Sequence, residues 1–194
     1  MRQKQIILAS ASPRRKKLMK QLGYRFRVIP SSVPEKINPF HGNPGLLARA
    51  LSLKKAEYVS RRVKRGLVIG FDTIVVSDGR ILGKPGSRKE AFRFLNLLSG
   101  KTHRVITGFT IIDAETGKKI TRSVSTRVAF KRLSVREIGD YIKSGEPMGK
   151  AGAYAIQGKG AAFVKSIRGD YFNVVGLPLY HLSENLGKFG SSAS

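Results

Sequence analysis

The chain has 194 residues and a formal net charge of +25, since 37 Lys and Arg residues outnumber 12 Asp and Glu residues. Its hydrophobic content of 41% and its 8 prolines exclude a mainly disordered chain, and the lack of cysteine excludes disulfides, a zinc ribbon and a thiol nucleophile. The apolar run at the start is too short for a signal peptide or a membrane span, so we expect a cytoplasmic protein.

The N-terminal part of the chain predicts two strands, each followed by a helix. Ile6–Leu8 is a short apolar run suited to a buried strand. Ser12 and Pro13 suit the N-cap and the first position of a helix, because a serine hydroxyl caps free N–H groups and proline lacks only an N–H that has no partner there. Phe26–Ile29 then predicts a second strand, and 45–63 predicts a long helix.

The centre of the chain predicts a buried strand with a break. Leu67–Phe71 is continuously apolar, which is typical of a central strand that is buried on both faces. We expect this strand to stop at Asp72 and Thr73 and to resume at Ile74–Val76. A turn over 77–80 then leads into a short strand.

The C-terminal half predicts two helices opened by capping boxes, at 87–90 and 134–137, and several strands. The predicted strands are 105–112, 124–131, 163–167 and 171–175, with the first two in an antiparallel hairpin, and a last helix begins at 177–178. We therefore expect an α/β fold with a mixed twisted sheet and flanking helices, with one domain over 1–188 and a flexible tail over 189–194. Neither the Rossmann glycine motif nor a P-loop motif is present.

Two adjacent arginines, Arg14 and Arg15, lie in the first turn of the first predicted helix. A helix N-terminus already carries a partial positive charge and normally favours acidic residues, so two arginines add charge where the dipole repels it. The misfit is explained if an anion, most simply a phosphate chain, binds between them. The alternative is a basic helix end on the surface.

Asp72 is the strongest candidate for a catalytic group. It directly follows five apolar residues of a predicted central strand. The carboxylate would be partly desolvated there, and its pKa would be raised unless a cation lies beside it. A divalent metal ion suits such a carboxylate, and so does a water molecule whose proton it accepts. The alternative is an aspartate that stabilises a turn.

Three further polar residues are weaker candidates. Lys84 lies between Gly83 and Pro85 and suits a phosphate contact, although lysines in exposed loops are common. Gln157, in a glycine-rich stretch, suits either the edge of a nucleotide base or a solvated loop. Asp170 suits either a turn or a contact with metal or water. The three histidines have no metal-ligand spacing, and we interpret them as structural.

Several segments of the sequence together resemble the Maf family of nucleoside triphosphate pyrophosphatases. They lie in the family's order and near its spacing, and they are SASPRR (10–15), LKKA (53–56), GFDTIV (70–75), GKP (83–85), LSGKTH (98–103), KAGAYAIQG (150–158) and VGLP (175–178). The resemblance implies an inosine-triphosphatase-like α/β fold with a cleft between two lobes, and usually a homodimer. It also implies hydrolysis of a nucleoside triphosphate to the monophosphate and pyrophosphate, aided by a divalent metal ion, Mg²⁺ or Mn²⁺.

The same resemblance implies roles for individual residues. Asp72 matches the proton acceptor for the attacking water and, with Glu35, the metal ligands. The implied substrate contacts are Ser10, Arg14, Arg15, Lys55, Thr73, Lys84 and Gln157, of which Arg14, Arg15, Lys55 and Lys84 match the triphosphate contacts. Arg14, Thr73 and Gln157 match the positions that mark the subfamily acting on dTTP and UTP. A subfamily acting on 7-methyl-GTP typically carries Gln and Glu at the last two of these positions.

The sequence departs from the family pattern at two positions and leaves two other functions open. Pro34 replaces one of two acidic residues expected after the second strand, and Gly149 replaces an Asp before the KAGAY run. One alternative is a pyrophosphatase for other or modified nucleotides, such as 7-methyl-GTP. The other is a nucleic-acid-binding regulatory protein, which the net charge and Pro34 favour and Asp72, Lys84 and the arginine pair oppose. Because basic residues are spread along the chain, we expect neither specific nucleic-acid binding nor membrane binding.

Overall fold

The computed structural model describes residues 4–33 and 42–190, and these residues form seven strands and six α-helices. The strands are β1 (Ile6–Leu8), β2 (Phe26–Val28), β3 (Leu67–Ser77), β4 (Arg80–Leu82), β5 (Thr102–Asp113), β6 (Lys119–Phe130) and β7 (Val164–Arg168). The helices are α1 (Pro13–Gln21), α2 (Pro44–Ser60), α3 (Arg88–Leu98), α4 (Val135–Lys143), α5 (Tyr171–Val175) and α6 (Leu179–Gly187). Within this part of the chain, no helix combines the length and the apolar character that crossing a membrane requires.

The strands form one mixed sheet in the order β2-β1-β3-β5-β6-β7, with β4 paired to β3. The strand β1 is parallel to β2 and to β3, whereas β4 is antiparallel to β3 and β7 is antiparallel to β6. Only a short connection joins the neighbours β5 and β6, so they form the antiparallel hairpin that the sequence predicts. The predicted α/β fold with a mixed sheet and flanking helices is therefore confirmed.

The chain divides into two compact units. Within the described residues, unit 1 comprises 4–33, 42–72, 107–124 and 176–190, and it contains β1, β2, α1, α2 and α6. Unit 2 comprises 73–106 and 125–175, and it contains β4, β7, α3, α4 and α5. The boundaries fall within β3, β5 and β6. One domain with a cleft between two lobes stays a prediction, and residues 191–194 of the predicted tail lie outside the described residues.

In unit 1, the register of the parallel strands places the loop after β1 beside the middle of β3. Leu8 pairs with Ile69, and the backbone N–H of Ala9 donates to the carbonyl of Ile69 at 2.8 Å. All three residues of β1 are buried, which agrees with their apolar character. The chain therefore leaves β1 close to residues 70–72 of β3 and enters α1 from there.

Two glycines allow α2 to lie directly on the strands of unit 1. A Cβ at Gly70 would be 2.4 Å from the carbonyl oxygen of Ser52, and a Cβ at Gly108 would be 2.1 Å from that of Ala48. Because no side chain fits at either position, only glycine permits this approach of helix and strands. Lys55 follows Ala48 and Ser52 on the same face of α2, so its side chain is also held close to β3.

An aromatic cluster forms part of the core of unit 2 around His103. The His103 ring lies 4.9 Å from that of Phe130 and 5.4 Å from that of Tyr154, in edge-on contacts. His103 is 1% exposed, and its Nε2 lies 2.9 Å from the Tyr154 hydroxyl. Burial lowers the pKa of His103 to about 4, so the ring is neutral at neutral pH. This environment agrees with a structural role for His103.

We expect the free energy of unfolding to fall by about 2 kcal/mol between about pH 7 and about pH 5 because of His103. The unfolded chain binds a proton near the ordinary histidine pKa of 6.5, whereas the folded protein binds it only near about 4. Acid therefore favours the unfolded chain, and the contribution of the neutral, buried His103 to the free energy of unfolding is lost as the pH falls. Urea unfolding of the wild type and of His103→Gln, which cannot be protonated, measures the contribution. An equally steep pH dependence in both proteins would contradict it.

Two elements differ from the predictions. The strand β3 is continuous over Leu67–Ser77 and does not stop at Asp72, because the carboxylate has a cationic partner within the fold. Residues 171–175 form a short helix and not a strand. The carboxylate of Asp170 accepts hydrogen bonds from the N–H groups of Phe172 at 2.7 Å and Asn173 at 3.1 Å, which caps this helix. Of the two roles left open for Asp170, these contacts favour the turn.

The two predicted capping boxes also differ from each other. At 134–137, the serine hydroxyl and the glutamate carboxylate bond to each other's backbone N–H, as predicted. At 87–90, the Ser87 hydroxyl accepts from the Glu90 N–H at 3.1 Å, but the Glu90 carboxylate accepts from the N–H of Gly86 at 2.8 Å. The start of α3 is therefore capped, with the return bond shifted by one residue.

Candidate functional site

A buried ion pair lies in the middle of β3. The Nζ of Lys55, on α2, lies 2.6 Å from Oδ1 of Asp72, and each residue is 6% exposed. Two charges taken out of water each lose hydration, and only a short contact with the opposite charge offsets this cost. Lys55 is thus the cation that a carboxylate at this point of a buried strand requires.

Arg15 is fixed by hydrogen bonds to three other segments of unit 1, one of which is the β3 residue before Asp72. Its Nε donates to the carbonyl of Gly176 at 2.8 Å, and its Nη1 donates to Oγ of Ser10 at 3.2 Å and to the carbonyl of Phe71 at 3.4 Å. The guanidinium also lies 5.3 Å from the centroid of the Phe71 ring, a cation–π contact. Phe71 directly precedes Asp72 in β3, so Arg15 is tied to the residue next to the carboxylate in the chain.

Hydrogen bonds in the loop between β1 and α1 and in the first turn of α1 hold the backbone around Arg15 in place. The Ser12 hydroxyl accepts from the N–H of Arg15 at 3.4 Å, and the Ser10 hydroxyl accepts from the N–H of Ser12 at 3.3 Å. Pro13 occupies the start of α1, and the first turn contains no acidic residue. The half-buried Arg14 lies in the same turn.

The structure thus places five of the predicted site residues in unit 1, where they are linked by side-chain contacts or by adjacency in the chain. We call them the unit 1 cluster, which consists of Ser10, Arg14, Arg15, Lys55 and Asp72. It combines one carboxylate, three cations and the N-terminus of a nine-residue helix. Such an arrangement suits an anion with several negative oxygens and a water molecule that must lose a proton.

The other residues that the sequence predicts to contact the substrate lie in unit 2. Thr73 follows Asp72 in β3, Lys84 follows β4, and Gln157 lies after the turn of 151–153. Lys84 and Gln157 are exposed, whereas Thr73 is half-buried.

Gly152 contacts the segments that carry Thr73 and Lys84, and it belongs to the segment that leads to Gln157. Its N–H donates to the carbonyl of Gly83 at 3.0 Å, and a Cβ on it would be 2.9 Å from Val75. The hydrogen bond joins the loop of Lys84 to the segment that leads to Gln157. The contact with Val75 places that segment on the face of β3 that also carries Thr73, since alternate residues of a strand share a face.

The predicted metal ligands are only partly within the described residues. Glu35, and the departure at Pro34, lie outside them. Among residues 4–33 and 42–190, no group of three or more His, Asp or Glu side chains is arranged to hold a metal ion. Gly149, the second departure, has a φ of +71°, a conformation that glycine adopts without strain.

Glu146 and Tyr141 are the residues that the sequence analysis missed. The Glu146 carboxylate accepts hydrogen bonds from the Tyr141 hydroxyl and from two backbone N–H groups after Gln157. One signal was present in the sequence. With only 12 acidic residues in the chain, a glutamate beside a glycine-rich stretch is unusual.

Comparison with known proteins gives a near full-length match. The sequence model of the family described as "Maf-like protein" matches residues 5–189. A protein of Pelotomaculum thermopropionicum named dTTP/UTP pyrophosphatase is 49% identical over 187 residues, which cover 96% of this chain and 97% of that protein. Proteins of the same name from Methanosarcina barkeri and Thermococcus onnurineus are each 51% identical, over 191 and 174 residues. These matches cover 97% and 90% of this chain, and 96% and 92% of the two relatives.

Proposed function

The chain belongs to the Maf family, and we propose that it is a nucleoside triphosphate pyrophosphatase that hydrolyses dTTP and UTP to the monophosphate and pyrophosphate. The substrates follow from relatives at about 50% identity that are named for them. The structural observation that best supports the chemistry is the buried Asp72 with Lys55 at 2.6 Å and Arg15 at the preceding peptide group. Cations favour a polyphosphate, and a carboxylate favours removal of a proton from water. Hydrolysis of a triphosphate uses both.

In this proposal, Asp72 orients the water that attacks the α-phosphorus and accepts its proton. The attack builds negative charge on the phosphate oxygens, and pyrophosphate leaves with part of that charge. Arg14, Arg15 and the N–H groups at the start of α1 stabilise this charge, and both the helix start and the Arg15 guanidinium are fixed before the reaction begins. Lys84 contacts the triphosphate from its loop after β4, as the family resemblance implies.

Lys55 acts on both Asp72 and the substrate. Without substrate, it neutralises the buried carboxylate. We propose that the phosphate oxygens attract its Nζ when the nucleotide binds, so that the carboxylate becomes available to water. The buried lysine keeps a negative partner throughout this exchange, and the carboxylate exchanges the lysine for the O–H donor of the attacking water.

A divalent metal ion, Mg²⁺ or Mn²⁺, is part of the proposal. These ions prefer oxygen ligands, and Mg²⁺ is commonly held by one or two carboxylates together with the phosphates of a substrate. Asp72 supplies one such carboxylate within the unit 1 cluster, and Glu35, outside the described residues, would supply another. When bound, the metal neutralises charge on the phosphate oxygens.

We expect kcat/KM for dTTP and UTP to exceed that for CTP by roughly 10- to 100-fold, and to exceed that for 7-methyl-GTP as well. The Gln157 amide offers one acceptor and one donor group, which match the N3–H and a carbonyl of thymine or uracil. Cytosine reverses part of this pattern, and an unpaired buried polar group costs about 1–3 kcal/mol. Gln157→Glu should therefore collapse the preference. Release of pyrophosphate from each nucleotide measures it.

The matched control is Gln21→Glu, the same chemical change at an exposed position of α1. It should leave the order of substrates unchanged. A wild-type protein that hydrolyses 7-methyl-GTP fastest would contradict the substrate assignment. A Gln157→Glu variant with unchanged selectivity would contradict base recognition by this residue.

Three further expectations belong to the proposal. The family resemblance implies a homodimer, and the sequence predicts a cytoplasmic location and no specific nucleic acid among the partners. Any nucleic-acid affinity would come from scattered positive charge, so it should fall steeply with salt.

A further inference from the structure

One glutamate and one tyrosine hold the backbone on both sides of Gln157. The two carboxylate oxygens of Glu146 accept hydrogen bonds from the N–H groups of 159 and 160 at 3.0 and 3.1 Å. The Tyr141 hydroxyl donates to the same carboxylate at 2.8 Å and accepts from the N–H of Ala155 at 3.1 Å. We call this pair of side chains the Glu146–Tyr141 clasp.

The loop is shaped to admit the clasp. A Cβ at Gly158 would be 2.4 Å from the Glu146 carboxylate, and a Cβ at Gly160 would be 2.8 Å from the Tyr141 hydroxyl oxygen. Side chains at these two glycines would collide with the clasp. The N–H of Gly158 also donates to the carbonyl of Ala155 at 3.2 Å, so Gln157 is the third residue of a closed four-residue turn.

The clasp is itself anchored in unit 2. Tyr141 lies on α4, is 4% exposed, and packs its ring edge-on at 4.9 Å from that of Phe163. Burial raises the pKa of Glu146, but the hydrogen bonds from the two N–H groups and Tyr141 outweigh it and hold this pKa below its usual range. The carboxylate is therefore ionised at neutral pH and accepts from all three donors.

We propose that Glu146 is a positioning residue that sets base specificity, because it fixes the turn from which the Gln157 amide reads the pyrimidine. The inference rests on the proposed function. A loop held at only one end would let the amide turn away from the base. With N–H groups bonded before and after Gln157, the turn and the direction in which the Gln157 side chain leaves it are set before the nucleotide binds, which reduces the entropy lost on binding.

Glu146→Gln tests the inference with little change in shape. Its amide presents an NH₂ group to N–H groups that need an acceptor, so at least one bond of the clasp is lost. We expect the ratio of kcat/KM for dTTP to that for CTP to fall about tenfold, through a higher KM for dTTP and with kcat changed less.

The matched control is Glu137→Gln in the first turn of α4. The Glu137 carboxylate accepts from the Ser134 N–H at 2.8 Å and from the Lys131 Nζ at 2.6 Å. This variant loses comparable hydrogen bonds one helical turn before Tyr141, to residues that do not bond to the Gln157 turn, so its Tm should fall while the ratio for dTTP and CTP is unchanged. If the role of Glu146 were merely structural, Glu146→Gln would also lower the Tm and leave the ratio for dTTP and CTP unchanged.

Amide hydrogen exchange gives a readout that does not depend on activity. We expect the N–H groups of Ala155 and 159–160 to exchange faster in Glu146→Gln than in the wild type and in Glu137→Gln. Faster exchange with an unchanged substrate ratio would overturn the specificity role, and so would unchanged exchange.

If Glu146→Gln does not fold, Tyr141→Phe, which removes only the hydroxyl, takes its place. It should lower the ratio in the same direction, and an unchanged ratio would overturn the inference. A wild type that does not hydrolyse dTTP or UTP would overturn the proposed function itself, before any variant is compared.

Discussion

We expect the Asp72→Asn variant to hydrolyse dTTP and UTP about 10²–10⁴ times more slowly than the wild type, because loss of a positioned general base costs a rate factor of that size. The amide keeps the volume of the carboxylate and can still accept a hydrogen bond from Lys55, but it cannot take the proton of the attacking water. The rate of pyrophosphate release at saturating nucleotide, which gives kcat, is the measurement.

The same substitution removes one charge of a buried pair, so stability has to be separated from catalysis. Loss of one partner of such a pair costs up to about 3–5 kcal/mol, and the hydrogen bond that asparagine retains reduces this cost. Asp113→Asn is the matched control, because Asp113 is 3% exposed and pairs with Lys4 at 2.5 Å in the same unit. It should lose stability and keep kcat. Activity of Asp72→Asn within a few-fold of the wild type would show that another group accepts the proton.

The second large effect is on stability. We expect Gly108→Ala to lower the free energy of unfolding by about 3 kcal/mol, at the upper end of the usual cost of overpacking. The added Cβ would lie 2.1 Å from the carbonyl oxygen of Ala48, a backbone atom that moves only if α2 moves. A displaced α2 also carries Lys55 away from Asp72, so kcat should fall in the same variant. Urea unfolding and the rate of pyrophosphate release measure the two effects.

Gly139→Ala is the control for this substitution. Gly139 lies inside α4, and apart from its chain neighbours and the backbone of α4, a Cβ there meets no atom of the described residues within 4 Å. Alanine is a better helix former than glycine, so this variant should gain about 0.5–1 kcal/mol. Equal effects of the two substitutions would contradict the close approach of α2 to β5.

Local signals account for the parts of the fold that the sequence predicts correctly. The start of α1 follows from Ser12 and Pro13, and the box at 134–137 follows from a serine three residues before a glutamate. The alternation of β6 follows from contacts on its two faces, with Thr126 and Val128 buried and Arg127 exposed. In each case, residues within one turn or one strand determine the outcome.

Of the two predictions that failed, one depends on residues far apart in the chain and the other on the two residues just before the segment. The strand β3 continues through Asp72 because Lys55, on another element, neutralises the carboxylate. Apolar spacing alone cannot show this pairing. Residues 171–175 have a strand-like composition, but the cap from Asp170 and the left-handed φ of +123° at Gly169 turn the chain into a helix.

The sequence predicts the residues of the candidate site but not the contacts between them, because those contacts join residues from different parts of the chain. Residue types and the family resemblance identify Asp72, Arg15 and Lys55 one by one, but not the ion pair or the bond from Arg15 to the Phe71 carbonyl. The clasp around Gln157 was missed because three of its four donors are backbone N–H groups, which every sequence contains.

The central claim is that this chain places water on the α-phosphorus of dTTP and UTP, and oxygen labelling tests it most directly. Hydrolysis of dTTP or UTP in H₂¹⁸O, followed by mass spectrometry of the products, locates the new oxygen. We predict that the heavy oxygen appears in the nucleoside monophosphate and that the other product is unlabelled pyrophosphate. Label in the pyrophosphate, release of orthophosphate with a nucleoside diphosphate, or no turnover of either nucleotide would contradict the account.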